Sequence, residues 1–216
     1  MTKDFFIVFA AFFLGFAGVI GYQYLRAQRD RAVILPAPDA PLPQPTFALV
    51  PPSQAVSGLL TAVTGHAQKL SREDSEYKEA SAGATILVGE SIATKDLSAA
   101  TASVSGIMTA TMGESSTLVF ANLFPNNFVL QQKSGNVDYR VFSPISVRAL
   151  HALVTIAGGE TGIHIIDTDM SVTVKSGSVK LALVDSDNNT HVWELSAGQR
   201  ANIDDAARRV YLVGAR

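Results

Sequence analysis

Cysteine is absent from this 216-residue chain. Without a thiol the protein can form no disulfide bond, hold no thiolate-bound metal ion, use no cysteine nucleophile and carry no lipid on an N-terminal cysteine. The absence leaves the redox compartment open, because many exported proteins also lack cysteine.

An excess of either charge is also missing, since the formal net charge is −2. Nucleic-acid binding usually needs a concentrated basic face, so the chain is predicted not to bind nucleic acid. Neither a G-x-S-x-G elbow nor a metal-binding histidine spacing occurs among the four scattered histidines, which are His66, His151, His164 and His191. The sequence therefore predicts no catalytic residues, no metal site and no cofactor, and a protein that is not an enzyme.

A long apolar run is present near the N-terminus. Residues 5–21 carry no charge, and with the residues up to Leu25 they are long enough, as a helix, to cross a hydrocarbon core about 30 Å thick. We therefore predict a four-residue tail at 1–4 and a single transmembrane helix at 5–25. The alternative is a cleaved signal peptide, for which Val19 and Gly21 are the small residues before the cut.

A basic and proline-rich segment follows at residues 26–54. Seven of the nine prolines lie within residues 36–52. Because proline fixes φ and removes a backbone donor, this part is predicted to be an extended, semi-rigid spacer. Its alternative is a PxxP ligand for a partner domain.

The orientation of the anchor is ambiguous from the residues alone. The positive-inside rule sets Lys3 against Arg26, Arg29 and Arg31, and this count places the C-terminal part in the cytoplasm. The spacer argues the other way, because such segments commonly hold a domain away from a membrane on its outer side. Glycines at 15, 18 and 21 leave a small-residue stripe on the helix, through which two copies could associate.

Residues 55–216 have the pattern of an all-β domain with many short strands. In the segment 172–184 the apolar Val172, Val174, Val179, Leu181 and Leu183 alternate with other residues. A period of two is typical of strands with one buried face. Alternation does not reveal strand order, so a solenoid-like and a sandwich-like arrangement both remain open.

The order of motifs in this domain resembles the FecR-like domain, an all-β module found mostly in bacterial envelope proteins. The resemblance rests on these segments: "TGHAQ" (64–68), "GATILVGESIAT" (83–94), "LQQKSGNVDYRV" (130–141), "VTIAGGETGIHI" (154–165), "VTVKSGSVKL" (172–181) and "LSAGQRA" (195–201). The turn Gly159-Glu160-Thr161 departs from the direct Gly-Thr pair of the family.

The resemblance implies a place in the bacterial inner membrane, with the C-terminal domain periplasmic or extracellular. Well-known members of the family sense a signal there and pass it to a sigma factor through an N-terminal cytoplasmic domain. Residues 1–4 are too few for such a domain, so anti-sigma activity is not expected. We expect a recognition or signalling module with a protein partner in the envelope; the alternative is a structural, self-associating envelope or surface subunit.

Three groups of residues are candidates for a site, each with a structural alternative. Asp185, Asp187 and Asn189 begin like a calcium loop, but Thr190 and Ser196 stand where an EF-hand needs glycine and glutamate, so a hairpin turn is predicted. Asp167 and Asp169 could hold a cation or form an acid–base pair, but no histidine or glycine-rich phosphate loop accompanies them, so a turn or a solvated strand face is predicted.

Trp193 is the only tryptophan of the chain. In a strand it shares one face with Leu195, while Val192 and Glu194 share the other, and the sequence does not say which of these faces points inward. We interpret Trp193 as part of the scaffold, and residues 172–200 as two hairpins. The late strands, "THVWELSAGQ" and "RRVYLVGAR", are apolar enough to accept a partner strand or a second copy at a sheet edge.

Overall fold

A computed structural model describes residues 54–214 of the chain, and these form an all-β structure. None of the described residues is helical, so none of them belongs to a helix that could cross a membrane. The predicted transmembrane helix at 5–25 and nearly all of the predicted linker at 26–54 lie outside the described residues.

Fifteen strands follow one another along the described chain. They are β1 (Gly58–Thr64), β2 (Ala67–Leu70), β3 (Lys78–Ala80), β4 (Thr85–Ile86), β5 (Ser91–Thr94), β6 (Ala99–Val104), β7 (Met108–Met112), β8 (Thr117–Phe124), β9 (Asn127–Val141), β10 (Ile145–Ala149), β11 (Ala152–Ile166), β12 (Asp169–Val184), β13 (Thr190–Ser196), β14 (Arg200–Asp204) and β15 (Arg209–Val213).

All fifteen strands are hydrogen-bonded into one sheet that is open at both ends. Every pairing is antiparallel except that of β9 with β10. Three long strands change partners midway: β9 pairs with β8 and β10 up to Ser134 and with β7 and β11 from Gly135 onward. β11 pairs with β10 up to Ile156 and with β9 from Gly159 onward. β12 pairs with β14 up to Thr173 and with β13 from Ser178 onward. The sheet therefore folds over on itself into two layers joined by the long strands.

The first layer runs β4–β1–β6–β7–β9–β11–β12–β14–β15, and the second runs β3–β2–β5–β8–β9–β10–β11–β12–β13. The long strands contribute one half to each layer. This arrangement is sandwich-like, which answers the question that alternation left open. The solenoid-like arrangement is not formed, because the hairpins β6–β7, β8–β9, β12–β13 and β14–β15 each lie within one layer instead of coiling around both.

The two layers bury one hydrophobic core between them. All five apolar residues predicted to point inward from β12 are at most 1% exposed. The alternation changes phase between Val174 and Val179, where the strand bends from one layer to the other. Burying these side chains contributes about 25 cal/mol per Å² of apolar surface.

Glycines at Gly159 and Gly177 make this bend. They face each other across the β11–β12 pair with φ values of 98° and 82°. A Cβ on Gly177 would overlap the backbone carbonyl of Gly158, and one on Gly159 would overlap that of Ser176. Only glycine fits a left-handed conformation with a neighbouring backbone so close.

A small polar cluster joins the layers within the core. Tyr139 of the first layer donates its hydroxyl to Oε1 of Gln132 in the second layer at 3.0 Å. The amide nitrogen of Gln132 donates to the carbonyls of Gly135 (2.9 Å) and Ile163 (3.0 Å). Burial raises the pKa of Tyr139 well above its usual value. Among the described residues, the buried hydroxyl of Thr161 has no hydrogen-bond partner.

Candidate partner-binding edge

The two ends of the folded sheet differ in what they expose. At the end formed by β3 and β4, the edge strands have only three and two residues. The first of them carries Lys78 and Glu79, and Ile86 of the second is fully buried. Short, charged edge strands discourage pairing with another chain. This end, which we name the blunt end, is protected against strand pairing by its short strands, although Leu59, Tyr77 and Leu87 beside them are 44%, 37% and 52% exposed.

The opposite end is formed by β13 in the second layer and β15 in the first, and we name it the open end. β13 has seven residues and β15 has five. Leu212 continues the inward-facing row of β15, yet it is 54% exposed. Trp193, on the inward face of β13, is only partly buried. Apolar side chains of the core thus reach solvent at this end.

The outward faces of the same two strands also carry exposed apolar side chains, between polar ones such as Glu194 and Arg209. Val192 of β13 is 60% exposed, and Tyr211 and Val213 of β15 are 54% and 52% exposed. Clusters of exposed apolar side chains on a folded domain commonly mark a site of contact with another molecule. The open end therefore combines two long edge strands with exposed apolar residues on both of their faces.

The register of β13 decides the question that the sequence left open for Trp193. Trp193 pairs with Leu181 and Leu195 pairs with Val179, both of which are buried, so this set faces inward and Val192 with Glu194 faces outward. Trp193 packs against the core, as predicted for a scaffold residue. Its ring lies 5.8 Å from the ring of His191, centroid to centroid.

The predicted turn at Asp185 is confirmed. Its carboxylate accepts the backbone N–H groups of Asp187 (2.9 Å) and Asn189 (2.8 Å), which is a typical Asx-type turn. Nε2 of His191 lies 2.8 Å from the same carboxylate. The hydrogen bond with His191, together with these backbone donors, lowers the pKa of Asp185. The carboxylate thus orders the β12–β13 hairpin that presents Trp193.

The β14–β15 turn, residues 205–208, fastens the open end to both layers. The backbone N–H of Asp205 donates to the carbonyl of Thr168 in the first layer at 2.9 Å. Its carboxylate, which is almost fully buried, accepts the N–H of His151 in the second layer at 3.0 Å and lies 2.8 Å from Nδ1 of that ring. Arg208 donates to the carbonyls of Val184 and Asp185 at 3.4 Å. The edge strands are therefore held on a fixed support.

The remaining candidate residues do not converge on a site. Asp167 lies in the β11–β12 hairpin turn with φ of 52°, and Asp169 begins β12. His164 is exposed on the outer face of β11, and Nδ1 of His66 lies 3.8 Å from Oε1 of Glu79 near the blunt end. Residues 54–214 contain no group of three or more His, Asp or Glu side chains arranged to hold a metal ion.

The sequence did not predict the roles of Asp205 and of the Gln132–Tyr139 pair. Asp205 and His151 are 54 positions apart, so no local pattern joins them. Gln132 and Tyr139 are only seven positions apart, but an odd spacing places them on opposite faces of a regular strand, and they meet only because β9 bends between them. The short distance between two strand-like segments around residues 205–208 indicates a turn, but it does not indicate which groups the side chains of that turn bind.

Known protein families and structures were compared with the chain. No family model matches the sequence, and no curated protein matches it significantly. Two crystal structures have a similar fold, each of a candidate anti-sigma factor from Parabacteroides distasonis. The first has a TM-score of 0.50 at 14% identity and the second a TM-score of 0.49 at 15% identity. Each match covers 57% of this chain and 59% of the other, so the chain spans less than two thirds of those proteins. At this identity the likeness is one of fold alone.

Proposed function

We propose that this chain is a single-pass protein of the bacterial inner membrane whose FecR-like β-domain lies outside the cytoplasm. It works as a recognition or signalling module, through contacts with a protein partner rather than through catalysis. The observation that carries the proposal is the difference between the blunt end and the open end. A domain whose edge strands are short and charged at one end, and longer with exposed apolar side chains at the other, is suited to pair with a partner strand at the second end only.

The location is supported by three features. The apolar run at 5–25 is long enough to span a bilayer, and the proline-rich spacer at 26–54 separates it from the β-domain. The order of motifs resembles the FecR-like module of bacterial envelope proteins. The arginines at 26, 29 and 31 oppose this placement, which makes the orientation the first property to test.

Protease accessibility tests the orientation. In intact cells with an outer barrier, we expect the β-domain to resist an added protease, and in spheroplasts we expect it to be digested, because only the inner membrane then separates protease from cytoplasm. A cytoplasmic protein of the same cells serves as the control and must stay intact in both. Survival of the β-domain until the inner membrane is lysed would reverse the orientation and remove the envelope function.

The mode of contact is supported by the two edge strands of the open end. An edge strand offers a row of backbone N–H and C=O groups, and an added strand bonds to that row while its alternate side chains fill neighbouring apolar positions. Trp193, Val210 and Leu212 supply apolar positions on the inward side. The hydrogen bonds of Asp205 to His151 and Thr168 attach the β14–β15 turn to both layers, which favours binding at β15 without a large rearrangement.

Photo-cross-linking in living cells tests the contact. A photoreactive residue at Val192, on the outward face of β13, is expected to give a discrete cross-linked product with another protein. The same residue at Thr61, which is exposed on β1 in the other half of the domain, is expected to give none. Equal products from both positions would indicate random collision and refute the open end as the contact site.

A structural subunit that assembles into long polymers is the alternative function. Head-to-tail growth would require an edge at each end of the domain that can pair. The blunt end offers strands of only two and three residues, the longer of which carries charged side chains. The structure therefore favours recognition over open-ended assembly.

A further inference from the structure

β15 is the last strand of its layer among residues 54–214 and is hydrogen-bonded only to β14. Its five residues, Arg209–Val213, leave the other edge of the strand without a neighbour in the described structure. Apolar side chains occupy four of the five positions. Val210 and Leu212 face inward and Tyr211 and Val213 face outward, so a second strand of the same sequence can match both faces of this edge.

We propose that β15 pairs antiparallel with β15 of a second copy, about a two-fold axis that passes beside Tyr211. This inference deepens the proposed function and rests on its assignment of the open end as the contact surface. Such pairing is isologous, because the same strand is used on both sides. Tyr211 then lies opposite Tyr211 of the second copy, Val210 opposite Leu212, and Arg209 opposite Val213.

This register is favoured by the faces of the strand. Residues directly opposite in an antiparallel pair point to the same side of the sheet. Val210 and Leu212 are the inward positions, so pairing Val210 with Leu212 of the second copy continues the apolar inner face across the interface. A slip by one residue would set inward side chains against outward ones.

Charge favours the same register. With Tyr211 at the centre, the two copies of Arg209 are separated by four residues along the strands, which is about 14 Å at about 3.4 Å per residue. That separation exceeds the Debye length of about 8 Å at physiological ionic strength, so their repulsion is screened. A register centred on Arg209 would set like charges directly opposite each other, which destabilises a sheet.

An isologous contact uses up the β15 edge of both copies, and β3 and β4 are too short to extend the sheet. The first layer is therefore complete as a dimer, while β13, which pairs only with β12 in the described structure, stays open for the protein partner proposed above. A five-residue edge buries less than the roughly 1,200 Å² of a small standard interface, so we expect a weak and transient association. Because the association is weak, we propose to detect it by covalent cross-linking and not by an equilibrium binding measurement.

Because the chain has no cysteine, single cysteines report the contact without interference. In the full-length protein in membranes, Tyr211→Cys is expected to form a disulfide-linked dimer under mild oxidation at least tenfold faster than two control variants. Opposed Cα atoms in an antiparallel pair are about 4.5–5.5 Å apart, which suits a disulfide. The first control is Val213→Cys, whose two copies would lie about 14 Å apart. The second is Glu79→Cys on the blunt end.

A second substitution checks that the trap reports strand pairing. Leu212→Lys, added to Tyr211→Cys, places a charge on the inward face of the edge and is expected to slow cross-linking to the rate of the controls. Association through the membrane helix alone would cross-link Tyr211→Cys and Glu79→Cys at similar rates, and this result would overturn the proposal. If Tyr211→Cys cross-links slowly but the photoreactive residue at Val192 still gives a product, the β15 dimer is refuted and the proposed contact with a protein partner stands.

Discussion

Replacing Gly177 by alanine is expected to lower the free energy of unfolding by about 2–5 kcal/mol. The left-handed conformation of this residue, with φ of 82°, costs an ordinary L-residue about 1–2 kcal/mol. The added Cβ also overlaps the carbonyl oxygen of Gly158, which is backbone and cannot rotate away. Overpacking of this kind costs about 1–3 kcal/mol more.

The effect is expected to be large because Gly177 lies where β12 passes from one layer to the other. Moving the Gly158 carbonyl would also disturb Gly159, which pairs with Gly177. The bend in β12 then changes its angle, and the inward side chains before and after it no longer pack in the same core. Strand pairing and core packing are therefore damaged together.

Urea unfolding of the wild-type and Gly177→Ala proteins measures this loss, and Gly106→Ala is the matched control. Gly106 also has a left-handed conformation, with φ of 70°, but a Cβ there meets no atom within 4 Å. Its alanine variant should lose only the backbone part, about 1–2 kcal/mol. Equal losses in the two variants would show that the close approach at the bend contributes nothing.

Replacing Tyr139 by phenylalanine is expected to lower the free energy of unfolding by about 1–3 kcal/mol at neutral pH. The change removes the hydrogen bond to Gln132 and leaves the amide oxygen of that side chain unpaired in the core. An unpaired buried acceptor loses its hydration without compensation. Tyr211→Phe, which alters an exposed tyrosine, is the control and should change stability by less than about 0.5 kcal/mol.

The same variant is expected to behave differently in alkali. Burial raises the pKa of Tyr139 in the folded protein above the 10.0 of an unperturbed tyrosine. Above pH 10 the unfolded chain therefore releases a proton that the folded chain keeps, and stability falls as pH rises. This contribution is fully present below pH 10 and is lost as the pH rises towards the folded-state pKa.

Unfolding measured between pH 8 and 11 distinguishes the two contributions. The wild-type protein should lose up to about 1.4 kcal/mol per pH unit more than Tyr139→Phe above pH 10, so the difference between the two proteins should shrink there. A difference that stays constant through this range would mean that Tyr139 titrates at its ordinary pKa and is not protected by the core.

The alternation of apolar residues was enough to predict the fold class and the inward face of β12. Val172, Val174, Val179, Leu181 and Leu183 are all buried as predicted, because a strand with one buried face requires a period of two. The turn at Asp185 was equally readable, since its side chain bonds to backbone groups only two and four residues away. Local spacing determines both features.

Several features could not be read in this way. The prediction of two hairpins at residues 172–200 is wrong: β12 runs through Gly177 as one bent strand, and β12–β13 is the one hairpin among these residues. β9 is likewise a single strand that bends at Gly135. A glycine that bends a strand and a glycine that ends it leave the same local pattern. Which of the two occurs depends on the neighbouring strands on each side.

The sequence by itself determined an all-β domain behind an apolar segment and a proline-rich spacer, because composition and periodicity are properties of consecutive residues. Only the tertiary structure decided the two-layer arrangement, the inward side of Trp193, the joining of layers by Asp205, and which sheet edges are exposed. Those features depend on contacts between residues tens of positions apart, such as His151 with Asp205. The open end is one of them, because an edge strand is defined by the neighbour it lacks rather than by its own residues.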